Sequence, residues 1–482
     1  MKGTWVIALV LLALVGLPAL FLPSPVWASV VLSGLTLASL FFLVASGLSL
    51  IFGMMDVINF AHGTLFMLGA YIGWTAYQNP RLLLNGIPLW LALGAGIATG
   101  QATAGRLSVP RTLSGLGMVG LGALAFWNYN LGKLVAFGST VPGGSIPTPL
   151  AQEPLGIVFA RMGAMGLAGL CGGWLLGRRA TSLRRAGALS AGLLGLGILM
   201  LIGREPLERW ILGSPADLRF LIALFAGTLA GGALGAGIEA TLIRPLYARP
   251  IYQVLLTLGL SYVGTELVRV VWGPGNYAPL PRPSLFAAPC LASSIGEWLS
   301  QGCASLDVLG RPFPTYRLLI IGVGIAMWAG IGLWLRWTRV GMAVRAAVED
   351  REMVEALGIP VRRLFTGVFA MGSALAALGG VVATPFLGLS PAMGLEFLLQ
   401  AFIAVIIGGM GHYGGAAAGA MLVGLARAFG DYLVTVGIAL PGMAEALRFS
   451  PAVARASTVL IMAVVLLIRP SGLFGQKTSS PT

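Results

Sequence analysis

Charge is scarce in this chain. Only 10% of its 482 residues are Asp, Glu, Lys or Arg, and 16 of those are acidic. So little charge cannot keep a protein of this size wetted, which excludes a soluble globular domain. Histidine occurs twice and cysteine three times, at spacings that form no metal-ligand set. Cys171 lies in an apolar segment, whereas Cys290 and Cys303 share a polar loop in which a disulfide is chemically possible. No carboxylate pair, ligand cluster or activated nucleophile is visible, so a membrane-embedded enzyme finds no support.

What the sequence has instead is apolar length. With 57% hydrophobic side chains, 70 further glycines and a mean hydropathy of +0.90, it reads as an all-α, polytopic transmembrane helical bundle. Several runs reach the roughly 20 residues that a spanning helix needs. About 14 apolar segments can be marked off, some short enough to be half-helices. The excess of 30 basic over 16 acidic residues follows topology rather than nucleic acid, because no aromatic interleaving accompanies it. Basic residues collect on cytoplasmic loops. The loops with Arg106 and Arg111, Arg178 to Arg185, Arg244 and Arg249, and Arg339 to Arg363 fall on one side by alternation. The proline-rich stretch from Gly273 to Thr315 falls on the other. Glycines every fourth residue, at 169, 173 and 177 and at 227, 231 and 235, suit close helix packing.

Two apolar runs are interrupted by polar residues. In Gly53-Met-Met-Asp-Val-Ile-Asn-Phe-Ala-His-Gly63, glycine weakens the helix and Asp56 is a good N-cap for a restart. Gly408-Gly-Met-Gly-His-Tyr-Gly-Gly415 repeats the plan in the other half of the chain. Broken segments survive in a bilayer only where protein or a water-filled cavity satisfies the freed backbone, and a corresponding pair of them points to a transport pathway. The candidate pathway residues are Met54, Asp56, Asn59, His62 and His412. For Asn59, His62 and His412 the alternative is local, satisfying backbone freed by the break.

The densest polar stretch runs from Arg339 to Arg363. Glu349 or Asp350 can start a short helix, Ala347, Val354 and Leu357 can form its apolar ridge, and Gly358 with Pro360 can stop it. Such a helix fits a groove on a cytoplasmic partner, or it is a solvated linker.

These stretches together resemble the membrane permeases of ABC importers for branched-chain amino acids. Gly47 to Tyr71 is similar to that family's N-terminal signature, Arg339 to Gly380 to its ATPase-coupling loop, and Ala401 to Gly419 and Arg469 to Gly475 to its C-terminal ones. The first break favours the first of the family's two permease types. The resemblance implies a core of residues 28–80 and 217–475, with the coupling loop at 339–363. Residues 1–27 are an N-terminal helix or anchor, 81–216 an insertion of even crossing number, and 476–482 a tail. It also implies a second permease subunit, two ATPase subunits that bind the ATP and magnesium, an extracytoplasmic binding protein, and a bacterial inner membrane with both termini cytoplasmic. No Gly-x-x-x-x-Gly-Lys-Ser/Thr phosphate loop occurs here, so ATP is hydrolysed elsewhere and this chain carries no cofactor. Coupling is expected at Glu349, Asp350, Glu355, Ala356 and Gly358. A urea or short-chain amide permease of the same superfamily shares the signature. An ion-coupled carrier would need ionisable relays within its spans, for which the candidates are Asp56, Glu239, Glu266 and Glu396.

Overall fold

The computed structural model describes residues 12–55, 58–104, 109–126, 154–177, 182–247, 249–437 and 450–475. After short helical turns at Leu12–Gly16 and Leu17–Phe21, the first half contains α1 (Ser24–Met55), α2 (His62–Gln78), α3 (Pro80–Thr103), α4 (Arg111–Phe126), α5 (Leu155–Leu176), α6 (Leu183–Ile202), α7 (Arg204–Gly213), α8 (Ala216–Ile238) and α9 (Pro250–Trp272). A small sheet follows, with β1 (Ala288–Ala292), α10 (Ile295–Gln301), β2 (Cys303–Val308) and β3 (Arg311–Pro314). The chain closes with α11 (Thr315–Trp337), α12 (Arg339–Glu349), α13 (Arg351–Ala356), α14 (Val361–Leu387), α15 (Met393–Gly408), α16 (Tyr413–Thr435) and α17 (Pro451–Ile468).

Nine helices among the described residues are long and apolar enough to cross a membrane. The protein is a multi-pass membrane protein. Two further apolar helices, Met393–Gly408 and Ala456–Ile468, are shorter, so the apolar stretches do not all correspond to full spans. Arg106, Arg178, Arg179 and the 476–482 tail lie outside the described residues.

The chain divides into two compact units. The larger comprises residues 1–73, 223–269 and 274–482. Its centre is α1, which packs against α11, α14, α15 and α16. From Leu40 to Ile51 every side of α1 is buried, as its unbroken apolar sequence requires of a helix with no polar face. Gly227, Gly231 and Gly235 of α8 lie where a Cβ would strike Gly69, Ala377 and Ser373, so that glycine ladder is a packing seam. The second unit comprises residues 74–222 and 270–273. Here Gly96 and Gly100 of α3 interlock with Gly166 to Gly173 of α5, backbone against backbone. Gly177, the third member of that ladder, is instead the C-cap of α5, with a positive φ and open space around it. Ser190 donates to the Ala95 carbonyl at 2.8 Å and Trp174 to Thr103 at 2.9 Å, which satisfies the polar groups between these helices.

The stretch from Gly273 to Thr315 is more than a proline-rich loop. β2 pairs parallel with β1 and antiparallel with β3. A Cys290–Cys303 disulfide ties the first two strands. Ser294 caps α10, and Ser293 donates to Glu297 through its backbone N–H at 2.8 Å and its hydroxyl at 2.7 Å. Strands this short, interrupted by proline, leave no alternating pattern for a sequence reading to find. The sheet sits at one end of the larger unit, before α11, and α12 and α13 sit at the opposite end, after it.

Candidate functional site

At 1.5 Å per residue, the 32-residue α1 is about 48 Å long, which exceeds the roughly 30 Å of a bilayer core. Its last turns therefore project towards α12 and α13. Leu50 and Met54 are buried there with Val344, Val354, Val361 and Phe365. Asp56 lies outside the described residues, and the cap for the restart comes from Asn59. Its Oδ1 accepts from the Ala61 N–H at 3.0 Å and its carbonyl from the His62 N–H at 3.2 Å. α2 thus begins at His62, whose Nε2 meets the Val44 carbonyl at 3.1 Å. An acceptor there requires the proton on Nε2. Val44 is eleven residues before the end of α1, so the chain turns back about 16 Å into the bundle before helix resumes. Asn59 and His62 are both fully buried at that depth. Asn59 Nδ2 and His62 Nδ1 have no hydrogen-bond partner among the described residues.

The second break follows α15. Gly409 and Gly411 take positive φ, and His412 caps α16 by accepting from the Gly415 N–H at 2.9 Å. The carbonyls left open at the end of α15 are taken by the C-terminal signature: Leu473 N–H donates to Ile407 at 2.8 Å and Phe474 N–H to Gly408 at 3.1 Å. The Phe474 ring stacks on His412 with centroids 5.1 Å apart. Both breaks meet, since Gly53 lies against the backbone of Gly411 and Phe60 stacks on Phe402 at 5.2 Å. Of the expected pathway residues, the structure brings Met54, Asn59 and His62 to the first break and His412 to the second. Met54 is packed in the core, and His412 is exposed.

The charged stretch forms two helices instead of one. Glu349 ends α12, and Asp350 begins α13 by accepting from the Met353 N–H at 2.9 Å. After Glu355 and Ala356 the helix stops at Gly358, whose φ is 81°. The Gly358 N–H donates to Glu355 and the Ile359 N–H to Val354, the paired bonds of a Schellman stop. The expected ridge is only partly present: Ala347 belongs to α12, Val354 is buried, and Leu357 is 71% exposed. Six residues make less than two turns, so the stop rotates Leu357 off the buried side. Arg351 covers the Phe365 ring at 4.8 Å, leaving Glu349, Asp350, Met353, Glu355 and Leu357 facing outward.

The chain matches the family model described as branched-chain amino acid transport system / permease component over residues 30–127 and 156–469. It belongs to that family. This permease is 27% identical over 270 residues to the high-affinity branched-chain amino acid transport system permease protein LivH of Salmonella typhimurium, covering 55% of this chain and 78% of the relative. It is 31% identical over 262 residues to the corresponding protein BraD of Pseudomonas aeruginosa, with coverages of 54% and 76%. The autoinducer 2 import system permease protein LsrD of Escherichia coli is 29% identical over 208 residues, 43% of this chain and 56% of the relative. No solved structure gives a significant match.

Among the described residues, the carboxylates Glu239, Glu266 and Glu396 each have a basic neighbour. Glu239 is buried and accepts from Arg244 Nε at 3.1 Å, from Arg244 Nη2 at 2.8 Å and from the Tyr247 hydroxyl at 2.5 Å. Burial, and then that carboxylate, push the Tyr247 phenol above its ordinary range. Glu266 pairs with Arg269 at 2.5 Å, and Glu396, in the first turn of α15, stands 3.8 Å from Arg427. Sequence reading missed a cavity of about 670 Å³ at the sheet end of the larger unit. Its walls come from α1, α11, α14, α15 and α16, and include Ser33, Arg317, Glu396, Gln400 and Arg427.

Proposed function

We propose that this chain is the membrane subunit of an ATP-driven importer of branched-chain, aliphatic amino acids. Separate ATPase subunits drive its alternating access. A second permease subunit, two ATPase subunits and an extracytoplasmic binding protein complete the assembly. The observation that carries the reading is the α12–α13 pair. Through Val344 and Val354 its apolar side packs onto the ends of α1, α11 and α14, where it meets Phe365, while its charged side is left outward. Force applied at Glu349, Asp350, Glu355, Ala356 and Gly358 would pass directly to α1 and so to the break with Met54, Asp56, Asn59 and His62. His412, on the second break, would move with it.

The α12–α13 end is assigned to the cytoplasm and the sheet end to the outside of a bacterial inner membrane. A disulfide belongs in an oxidising compartment, and basic loops belong inside. Since α1 then begins at the outer side, the proposed cytoplasmic placement of both termini needs the apolar run before α1 to cross the membrane as well. Residues 81–216 are read as an addition to a core of 28–80 and 217–475. The high-affinity LivH and BraD relatives align over 256 to 270 residues, a length that the core can supply.

Two measurements test this. The tagged chain, purified with whatever accompanies it and reconstituted in vesicles, should take up labelled leucine only with ATP and regardless of ionophore. Uptake that needs an ion gradient and no ATP would overturn the reading. For sidedness, a mass tag should add to Cys290 and Cys303 only after reduction, and an Arg345→Cys variant should resist an impermeant reagent in intact cells.

A further inference from the structure

The cavity at the sheet end has an uneven charge pattern that no packing need explains. On α11, Arg317 makes no ion pair among the described residues; it donates to the Ser33 hydroxyl at 3.0 Å and lies over the Phe386 ring at 4.8 Å. Its Nε is buried without a hydrogen-bond partner, and Arg311 lines the same cavity. Elsewhere in the same lining, on α15 and α16, one cation faces two anions. Arg427 contacts Asp431 at 3.2 Å and Glu396 at 3.8 Å, too far for a hydrogen bond to Glu396. That group carries one unbalanced negative charge. One helical turn beyond Glu396, on the same face, Gln400 is 92% buried and its Oε1 has no hydrogen-bond partner. The apolar part of the lining includes Phe41, Phe386, Phe397 and Val30.

We infer that this cavity binds a zwitterionic α-amino acid with an apolar side chain. Arg317 takes the carboxylate, Glu396 and the Gln400 Oε1 take the ammonium, and the aromatic wall takes the side chain. The inference rests on the importer reading and narrows it, because a neutral solute such as urea would leave Arg317 without a counter-charge and the Glu396, Asp431 and Arg427 group one negative charge in excess. At about 670 Å³ the space is within the size range of small-molecule pockets. The unpartnered buried Arg317 Nε and Gln400 Oε1 are costly unless a ligand or water meets them, and a zwitterion supplies acceptors for the first and a donor for the second.

The test uses the full chain in lipid nanodiscs with L-leucine as probe. Isocaproate, which lacks the ammonium, and isoamylamine, which lacks the carboxylate, should each bind about tenfold or more weaker than leucine, the loss expected for one charged hydrogen-bonding group. Glu396→Gln should weaken leucine and leave isocaproate unchanged, and Arg317→Gln should weaken leucine and leave isoamylamine unchanged. A diazirine analogue of leucine should label the wild-type cavity wall, in competition with leucine, which needs no variant to fold. Equal binding of the three ligands, or labelling elsewhere, overturns the site. ATP-dependent leucine uptake by the reconstituted assembly reports separately on the importer reading, so uptake without cavity labelling sinks the site alone.

Discussion

Gly53, at the end of α1, lies so close to Gly411 in the second break that a Cβ on Gly53 would come within 2.8 Å of the Gly411 carbonyl oxygen and 2.9 Å of its Cα. Backbone cannot move aside as a flexible side chain can. Gly53→Val should therefore push the two breaks apart and destabilise the protein by about 1–3 kcal/mol, the usual cost of overpacking. Thermal melting in detergent measures this. An unchanged melting temperature would show that the end of α1 is not held against the second break.

Asn59→Ala removes the side-chain acceptor of the Ala61 N–H and should cost about 1 kcal/mol, as loss of a cap does. Asn59→Ser keeps an acceptor and should recover most of that. If Asn59 also lines the pathway, uptake will fall in the alanine variant by more than folded yield does, with ATPase subunits still attached. Parallel loss of yield and uptake, both restored by serine, would assign the residue to the turn alone.

Both breaks were legible in the sequence, because glycine, a short polar turn and a resumed apolar run is a local pattern. The contacts of Glu239 with Arg244 and of Glu266 with Arg269 are local in the same way, each spanning one or two helical turns. What was not legible is assembled from distant segments. Ser33, Arg317, Gln400 and Arg427 meet in one cavity although no short window contains two of them. Taken one at a time, each reads as an ordinary polar residue near the end of a span. The outward turn of Leu357 was hidden by a different cause: a helical ridge assumes a continuous helix, and Asp350 interrupts this one with extended backbone at φ −149°.

Glu297 gives a pH-dependent element at the sheet end. The Ser293 hydroxyl and N–H both donate to its carboxylate and hold its pKa below the ordinary 4.5. A depressed carboxyl contributes stability that is present above the unfolded value and is lost as pH falls through the folded one. The amides of α10 should therefore exchange faster as pH is lowered below 4.5, after correction for intrinsic rates. Glu297→Gln should flatten that dependence. A dependence that survives in the glutamine variant would point to another group.

The coupling assignment turns on Gly358. With φ at 81° and open space where a Cβ would stand, a side chain there meets no steric neighbour, and only the backbone objects. Non-glycine residues in this conformation cost about 1–2 kcal/mol, and β-branched ones most. Gly358→Val should open the Schellman stop, release the Glu355 and Val354 carbonyls and loosen Val354 from its place against Phe365. Asparagine tolerates the left-handed conformation, so Gly358→Asn should preserve the stop. If α13 is the ATPase contact, the valine variant will retain less ATPase subunit or show little hydrolysis in response to binding protein and substrate, and the asparagine variant will recover it. Glu355→Lys should weaken the contact less, since an exposed charge pair contributes about 1 kcal/mol or less. Normal ATPase association and normal stimulated hydrolysis in Gly358→Val, at wild-type expression, would count directly against α13 as the contact and leave the exposed face of α12 as the surface to examine.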